Sequence, residues 1–167
     1  LRSLVSDCVR VLGHEATAAV LDNLKQLGFD YATKSGVSIA MSDIEQPPHK
    51  ADILREADEQ VGVIQDQYER GFITEDERYE NVVQVWMEAT DKILEDVSSS
   101  LDRYGPIYMM ATSGAKGNIS QIRQMAGMRG LMTDPSGKII DFPIKASFRE
   151  GLTPMEYFVS THGARKG

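Results

Sequence analysis

Residues 50–97, "KADILREADEQVGVIQDQYERGFITEDERYENVVQVWMEATDKILEDV", decide the fold. Two apolar stripes run through them. In the first, Ile53, Leu54, Ala57, Val61, Ile64 and Tyr68 recur three and four residues apart. In the second, Tyr79, Val83, Trp86, Thr90, Ile93 and Val97 do the same. That period places each set on one side of an α-helix. Between them, "RGFIT" (residues 70–74) holds Gly71, which takes a left-handed cap without strain. Thr74 followed by Glu77 is the pattern of a capping box. Two helices with so short a link run antiparallel and zip along their stripes. The expectation is a coiled-coil-like hairpin with arms of about 20 to 25 residues, about 30 Å long.

Working outward, residues 1–27 read as two short helices broken at Gly13, with Gly28 as a C-cap. A turn at Ser35-Gly36 precedes a β-leaning run, residues 37–40, and Pro47-Pro48 closes the region. After residue 104 the periodicity dissolves into short segments punctuated by Gly114, Gly117, Gly127 and Gly130. The turn Asp134-Pro135-Ser136-Gly137 leads into "KIIDFPI" (138–144), the best strand candidate. Thr153, Pro154 and Glu156 form a second helix start. The expected fold is therefore mainly α: an antiparallel hairpin on a small irregular α+β base with Gly-rich loops. Its segments are 1–46, 47–104 (the hairpin), 105–150 (Gly-rich) and 151–167 (a helix start).

Composition narrows the class. With 41% hydrophobic and 26% charged residues in 167, the chain reads as a soluble folded protein. No apolar run approaches the roughly 18 residues of a membrane helix, and no charged-then-apolar leader opens it. Cys8 is alone, which excludes an internal disulfide and a zinc cage and fits a cytoplasmic location. Leu1 in place of an initiator Met, and the ending "STHGARKG", read as an excised piece of something larger. The charge is split: residues 1–104 hold 10 Lys/Arg against 21 Asp/Glu, and residues 105–167 hold 8 against 4. An acidic half followed by a basic one fits a protein partner at one end and phosphate at the other.

The basic half is sharpest in residues 113–132, "SGAKGNISQIRQMAGMRGLM", with four glycines, three cations and no acid. It fails as a P-loop, because Met110, Ala115 and Gly117 stand where glycine, glycine and Ser or Thr are required. Those glycines equally serve tight loop packing. His14, His49 and His162 lie far apart, and no compact Asp cluster offers a magnesium site. Trp86 reads as a knob in the hairpin seam. No catalytic residue and no metal ligand is assigned.

Residues 113–167, "SGAKGNISQIRQMAGMRGLMTDPSGKIIDFPIKASFREGLTPMEYFVSTHGARKG", resemble the largest (beta-prime) subunits of bacterial DNA-dependent RNA polymerase nearly residue for residue. The likeness extends back through the hairpin and "GFDYATKSGVSIAMSDI" (residues 28–44). It implies that the hairpin forms the rim helices of the secondary channel, where transcription factors dock, with Arg70, Phe72, Glu75, Asp76 and Glu77 at its tip. It implies that Met110, Lys116, Arg123, Gln124 and Arg129 line the wall passed by incoming nucleoside triphosphates. The segment "MRGLMTDPSGKIIDFPI" (128–144) is similar to the family's F-loop. His162, Arg165 and Lys166 then begin the bridge helix. Lys116 stands where bacterial members usually carry arginine, keeping the charge without the bidentate fork.

The same likeness implies magnesium and zinc bound outside this segment and no cofactor within it. It implies beta, alpha and omega subunits as partners, DNA and RNA only in the assembled enzyme, and no membrane. The parent catalyses nucleotidyl transfer, while the fragment alone should be inactive. A free-standing helical-hairpin interaction module is the alternative.

Overall fold

The computed structural model describes the backbone of residues 2–166 and the side chains of residues 3–161. The protein is mainly helical: α1 (Arg2–Ser35), a 3-10 turn (Met41–Asp43), α2 (Lys50–Glu69), α3 (Glu75–Ser100), α4 (Pro106–Ser113), α5 (Ile119–Ala126) and α6 (Pro154–Lys166). It divides into two compact units, Leu1–Ser38 and Ile39–Gly167.

In the first unit α1 breaks at Gly13, whose φ of 77° and ψ of 176° lie outside helix geometry. The Thr17 hydroxyl donates to the Gly13 carbonyl at 2.6 Å and so satisfies one acceptor the break leaves free. Gly28 does not cap. The helix runs through it to Ser35, and Gly36, at φ +62°, follows the last turn. No proline or polar cluster stands between Gly28 and Lys34 to stop propagation, so the glycine is carried at the ordinary helix-interior cost of about 1 kcal/mol.

The second unit is built on α3. On one side Val82, Trp86 and Ala89 pack with Ala57, Ile53, Leu54, Val61 and Ile64 of α2. Partners along the two helices run in opposite numerical directions. His49 at the start of α2 bonds Asp96, and the Arg78 guanidinium lies 5.8 Å from the ring of Tyr68 near its end. Further along the same face Ile93 and Val97 join Ile107, Ile122, Ala126, Met128 and Ile44 in a second cluster. Trp86 is 3% exposed, a core residue as its place in the stripe implies.

The β content of the base is smaller than the sequence reading expected. Among the described residues it amounts to two isolated antiparallel bridges, Gly130 with Ile144 and Thr133 with Ile139. Pro143 has no amide to give a ladder, which limits residues 138–144 to these contacts. Residues 37–40 form no strand either. The Ala40 amide is taken instead by the Asp43 carboxylate, 2.8 Å away, at the head of the 3-10 turn.

One glycine of the basic run sets the packing distance. A Cβ built on Gly127 would lie 2.6 Å from Ile93 Cγ2, 3.0 Å from the Arg123 carbonyl and 3.2 Å from Val97 Cγ2. The chain leaving α5 therefore touches α3 directly. Gly62, inside α2, has open space around it.

The two positions respond in opposite directions. Gly127→Ala lowers stability by about 1–2 kcal/mol through overpacking. Gly62→Ala raises it by about 0.5–1 kcal/mol through helix propensity. Urea unfolding midpoints of the two variants check both signs.

Candidate functional site

At the hairpin tip Gly71 takes φ +75° and ends α2. The Thr74 hydroxyl accepts from the Glu77 amide at 3.3 Å, and Glu77 accepts from the Thr74 amide at 2.8 Å, completing the box. These amide and hydroxyl bonds hold the Glu77 carboxyl below its ordinary value. Glu75 is occupied too: Arg78 donates to both its oxygens, at 2.9 and 2.6 Å, and the first effect of that bond is to lower its pKa. Arg70 pairs with Asp66 at 2.9 Å. Of the five tip residues read from the sequence, Phe72, 74% exposed, and Asp76 are the two not engaged by these side-chain bonds.

Two tip-proximal residues that the sequence reading passed over hold the neighbouring loop. Arg78 reaches past Glu75 to Asp141 at 3.1 Å, and the hydrogen bonds it donates to both carboxylates raise its already high pKa. Tyr79 donates its hydroxyl to the Ile139 carbonyl at 2.8 Å, while Lys138 lies 4.4 Å from its ring. Lower down, Lys145 sits 5.0 Å from the Trp86 ring and 2.6 Å from Asp58. Residues 138–145 are thus fastened to the hairpin by a row of polar contacts. Helical periodicity carries no signal for such contacts. The one clue in the sequence is a basic loop following an acidic hairpin.

The cations of the Gly-rich segment do not converge on one surface. Met110 and Lys116 share an apolar groove of about 190 Å³ with Ile39, Ile107, Ile122 and Met125. Lys116 is exposed on the loop between α4 and α5, where Gly114 and Gly117 take φ +73° and +79°. Arg123, on α5, is half-buried. Its guanidinium lies beside Gly130, and desolvation pulls its pKa down against the pull of Asp91. Gln124 is partly buried, and its carbonyl accepts from the Phe148 amide at 3.1 Å. Arg129 stacks 5.1 Å from the Phe148 ring, burial lowers its pKa, and its buried Nε has no hydrogen-bond partner. Arg123 and Arg129 are therefore partly covered, and Lys116 is the most exposed cation of the three.

The start of α6 is built from carboxylates on consecutive amides. Glu156 accepts from the Thr153 amide at 3.0 Å and the Ala146 amide at 3.3 Å. Glu150 accepts from the Ser147 amide at 2.7 Å and from the Lys50 ammonium. Burial pushes the Glu150 carboxyl up, but Lys50 and Ser147 outweigh it and hold it below its ordinary value. The side chains of His162, Arg165 and Lys166 lie outside the described residues. Among the described residues no group of three His, Cys, Asp or Glu is placed to hold a metal ion, and no helix is long and apolar enough to cross a membrane.

Comparison with known proteins matches this arrangement to one family. The family model for RNA polymerase Rpb1, domain 3, matches residues 1–44, and that for domain 4 matches residues 73–150. The DNA-directed RNA polymerase subunit beta' of Dehalococcoides mccartyi (strain 195) is 58% identical over all 167 residues, which span 13% of that relative's length. The same subunit of Pelotomaculum thermopropionicum is 58% identical, and that of Heliobacterium modesticaldum 53%. Both align with the whole of this chain, across 14% of their own length.

The tip geometry separates cap from surface. Thr74→Ala lowers hairpin stability by about 1 kcal/mol. Glu77→Gln lowers it as well, whereas Asp76→Ala leaves it unchanged in denaturant unfolding. Because the Glu75 and Glu77 pKa values are depressed, their stabilisation is present above the ordinary carboxyl value of 4.5 and is lost as pH falls below it. A stability titration from pH 6 to pH 3 measures this, and Glu77→Gln flattens the profile.

Proposed function

The chain belongs to the DNA-directed RNA polymerase subunit beta' family, and from that premise we propose that it supplies part of the secondary channel and its factor-docking rim to a template-directed nucleotidyltransferase. The observation that carries this reading is alignment of the whole chain, without remainder, to beta' subunits at up to 58% identity. A free-standing hairpin module accounts for the hairpin alone and leaves residues 105–150 and the start of α6 without a purpose.

In this reading the hairpin of α2 and α3 is the rim, residues 105–150 are channel wall and F-loop, and α6 opens the bridge helix. The acidic, rigidly capped hairpin offers Phe72 as an apolar anchor beside the negative charge of Asp76. That pairing suits a partner with a small pocket rimmed by cations. Lys116, exposed among apolar neighbours and glycines, is the residue of this segment best placed to attract passing triphosphate. Arg123 and Arg129, partly covered by the base, flank the wall beside it. Catalytic magnesium and the zinc sites belong to other parts of the subunit, and beta, alpha and omega complete the enzyme. The segment itself supplies geometry and no catalytic group, in a cytoplasmic enzyme.

The test replaces the matching 167 residues of the Dehalococcoides mccartyi beta' subunit with this chain. The reconstituted enzyme is expected to assemble and synthesise RNA on a DNA template. A correctly folded chimera that fails to assemble would overturn the reading. Within it, Lys116→Glu raises the KM for nucleoside triphosphate about fivefold with kcat unchanged, as loss of uniform binding requires. Phe72→Ala and Asp76→Lys each weaken binding of a transcript-cleavage factor about tenfold, measured by titration, and leave factor-free synthesis intact.

A further inference from the structure

Among the described residues Lys50 is the one buried lysine, 8% exposed, in the first turn of α2. Its ammonium meets the Glu150 carboxylate across a separation of 100 residues. The same Glu150 oxygen that receives Lys50 receives the Ser147 amide, and Ser147, fully buried, accepts the Glu150 amide through its hydroxyl at 3.3 Å. One residue earlier in the loop, the Ala146 amide is held by Glu156 of α6. Next to this node the Arg149 guanidinium donates to the Ile44 carbonyl, just before α2. Two carboxylates thus hold consecutive amides of one loop, Glu156 from α6 and Glu150 paired with Lys50 of the hairpin, and Arg149 ties the same loop to the chain ahead of α2.

The capping box of Thr153 and Glu156 already starts α6 by itself, so helix initiation does not require Lys50. Burying an ammonium is costly unless it is paired, and an apolar residue would fill the site at lower cost. The ion pair therefore contributes direction where a methyl-bearing side chain would contribute only contact.

We propose that Lys50 is a positioning residue that sets the direction in which α6 leaves the base, and thereby the rate of the nucleotidyl-transfer cycle, without touching substrate. This rests on the beta' reading of α6 as the beginning of the bridge helix. Gln would not serve in place of Glu150, because its carbonyl oxygen can accept both bonds but cannot neutralise the ammonium. Arg in place of Lys50 keeps the cation.

The experiment uses polymerase reconstituted around beta' carrying this chain. Lys50→Met is expected to lower kcat for nucleotide addition about tenfold, the scale on which small misplacement acts, with KM for nucleoside triphosphate unchanged. Lys50→Arg recovers most of the rate. An orphaned Glu150 could prevent folding of the single variant, so Lys50→Met with Glu150→Gln, which leaves no buried charge unpaired, is measured beside it. A kcat equal to the parent in assembled enzyme overturns the proposal. So does failure of both variants to assemble, which would make the pair a folding determinant only. An inactive parent chimera would instead count against the beta' reading itself.

Discussion

The close approach of the chain after α5 to helix α3 is the constraint on which the second unit depends. Gly127 leaves no room for a Cβ between its backbone and Ile93 and Val97. Because that distance is short, Met128 is driven to complete burial in the same cluster, and Ile144 is likewise fully buried on the bridge to Gly130. Helix α3 is thereby loaded along one face, by α2 through Trp86 and, about two turns further on, by the basic segment through Ile93. A face shared by two neighbours couples them, because a shift toward one opens the contact with the other.

Around that helix the polar contacts are distributed with a clear logic. The bonds that close the tip are local, between residues three or four apart. The bonds that fasten the basic loops, Arg78 to Asp141, Lys145 to Asp58 and Lys50 to Glu150, each pair a cation with a carboxylate far away in the chain. In two of them the cation comes from the hairpin and in the other from the loop. Several members are partly buried, where an ion pair fixes geometry more than it adds stability. The arrangement holds the basic loops and the hairpin in fixed relation.

The basic Gly-rich run also divides into two roles. Gly114 and Gly117 allow the turn that presents Lys116, and Gly127 allows contact with α3. Arg123 and Arg129 are partly covered, and desolvation weakens their hold on the proton. An unpartnered buried Nε on Arg129 is a cost the fold carries, offset by the stacking of its guanidinium on Phe148. The positive charge that makes the segment conspicuous is thus presented to solvent mainly by Lys116.

What could be read from the sequence depends on how far each determinant reaches. The two apolar stripes, the boxes of Thr74 with Glu77 and Thr153 with Glu156, and the break at Gly13 involve residues at most four apart, so their spacing alone determined them. The long, near-unbroken likeness of residues 113–167 to beta' subunits determined the family. Gly28 and residues 37–40 were misread because propensity is a weak signal where neither cap nor partner strand is present. Only the tertiary structure decided that Gly127 touches α3, that Arg123 and Arg129 are partly covered, and that Lys50 meets Glu150. Those outcomes come from contacts between segments as much as 100 residues apart, whose energies no local pattern encodes.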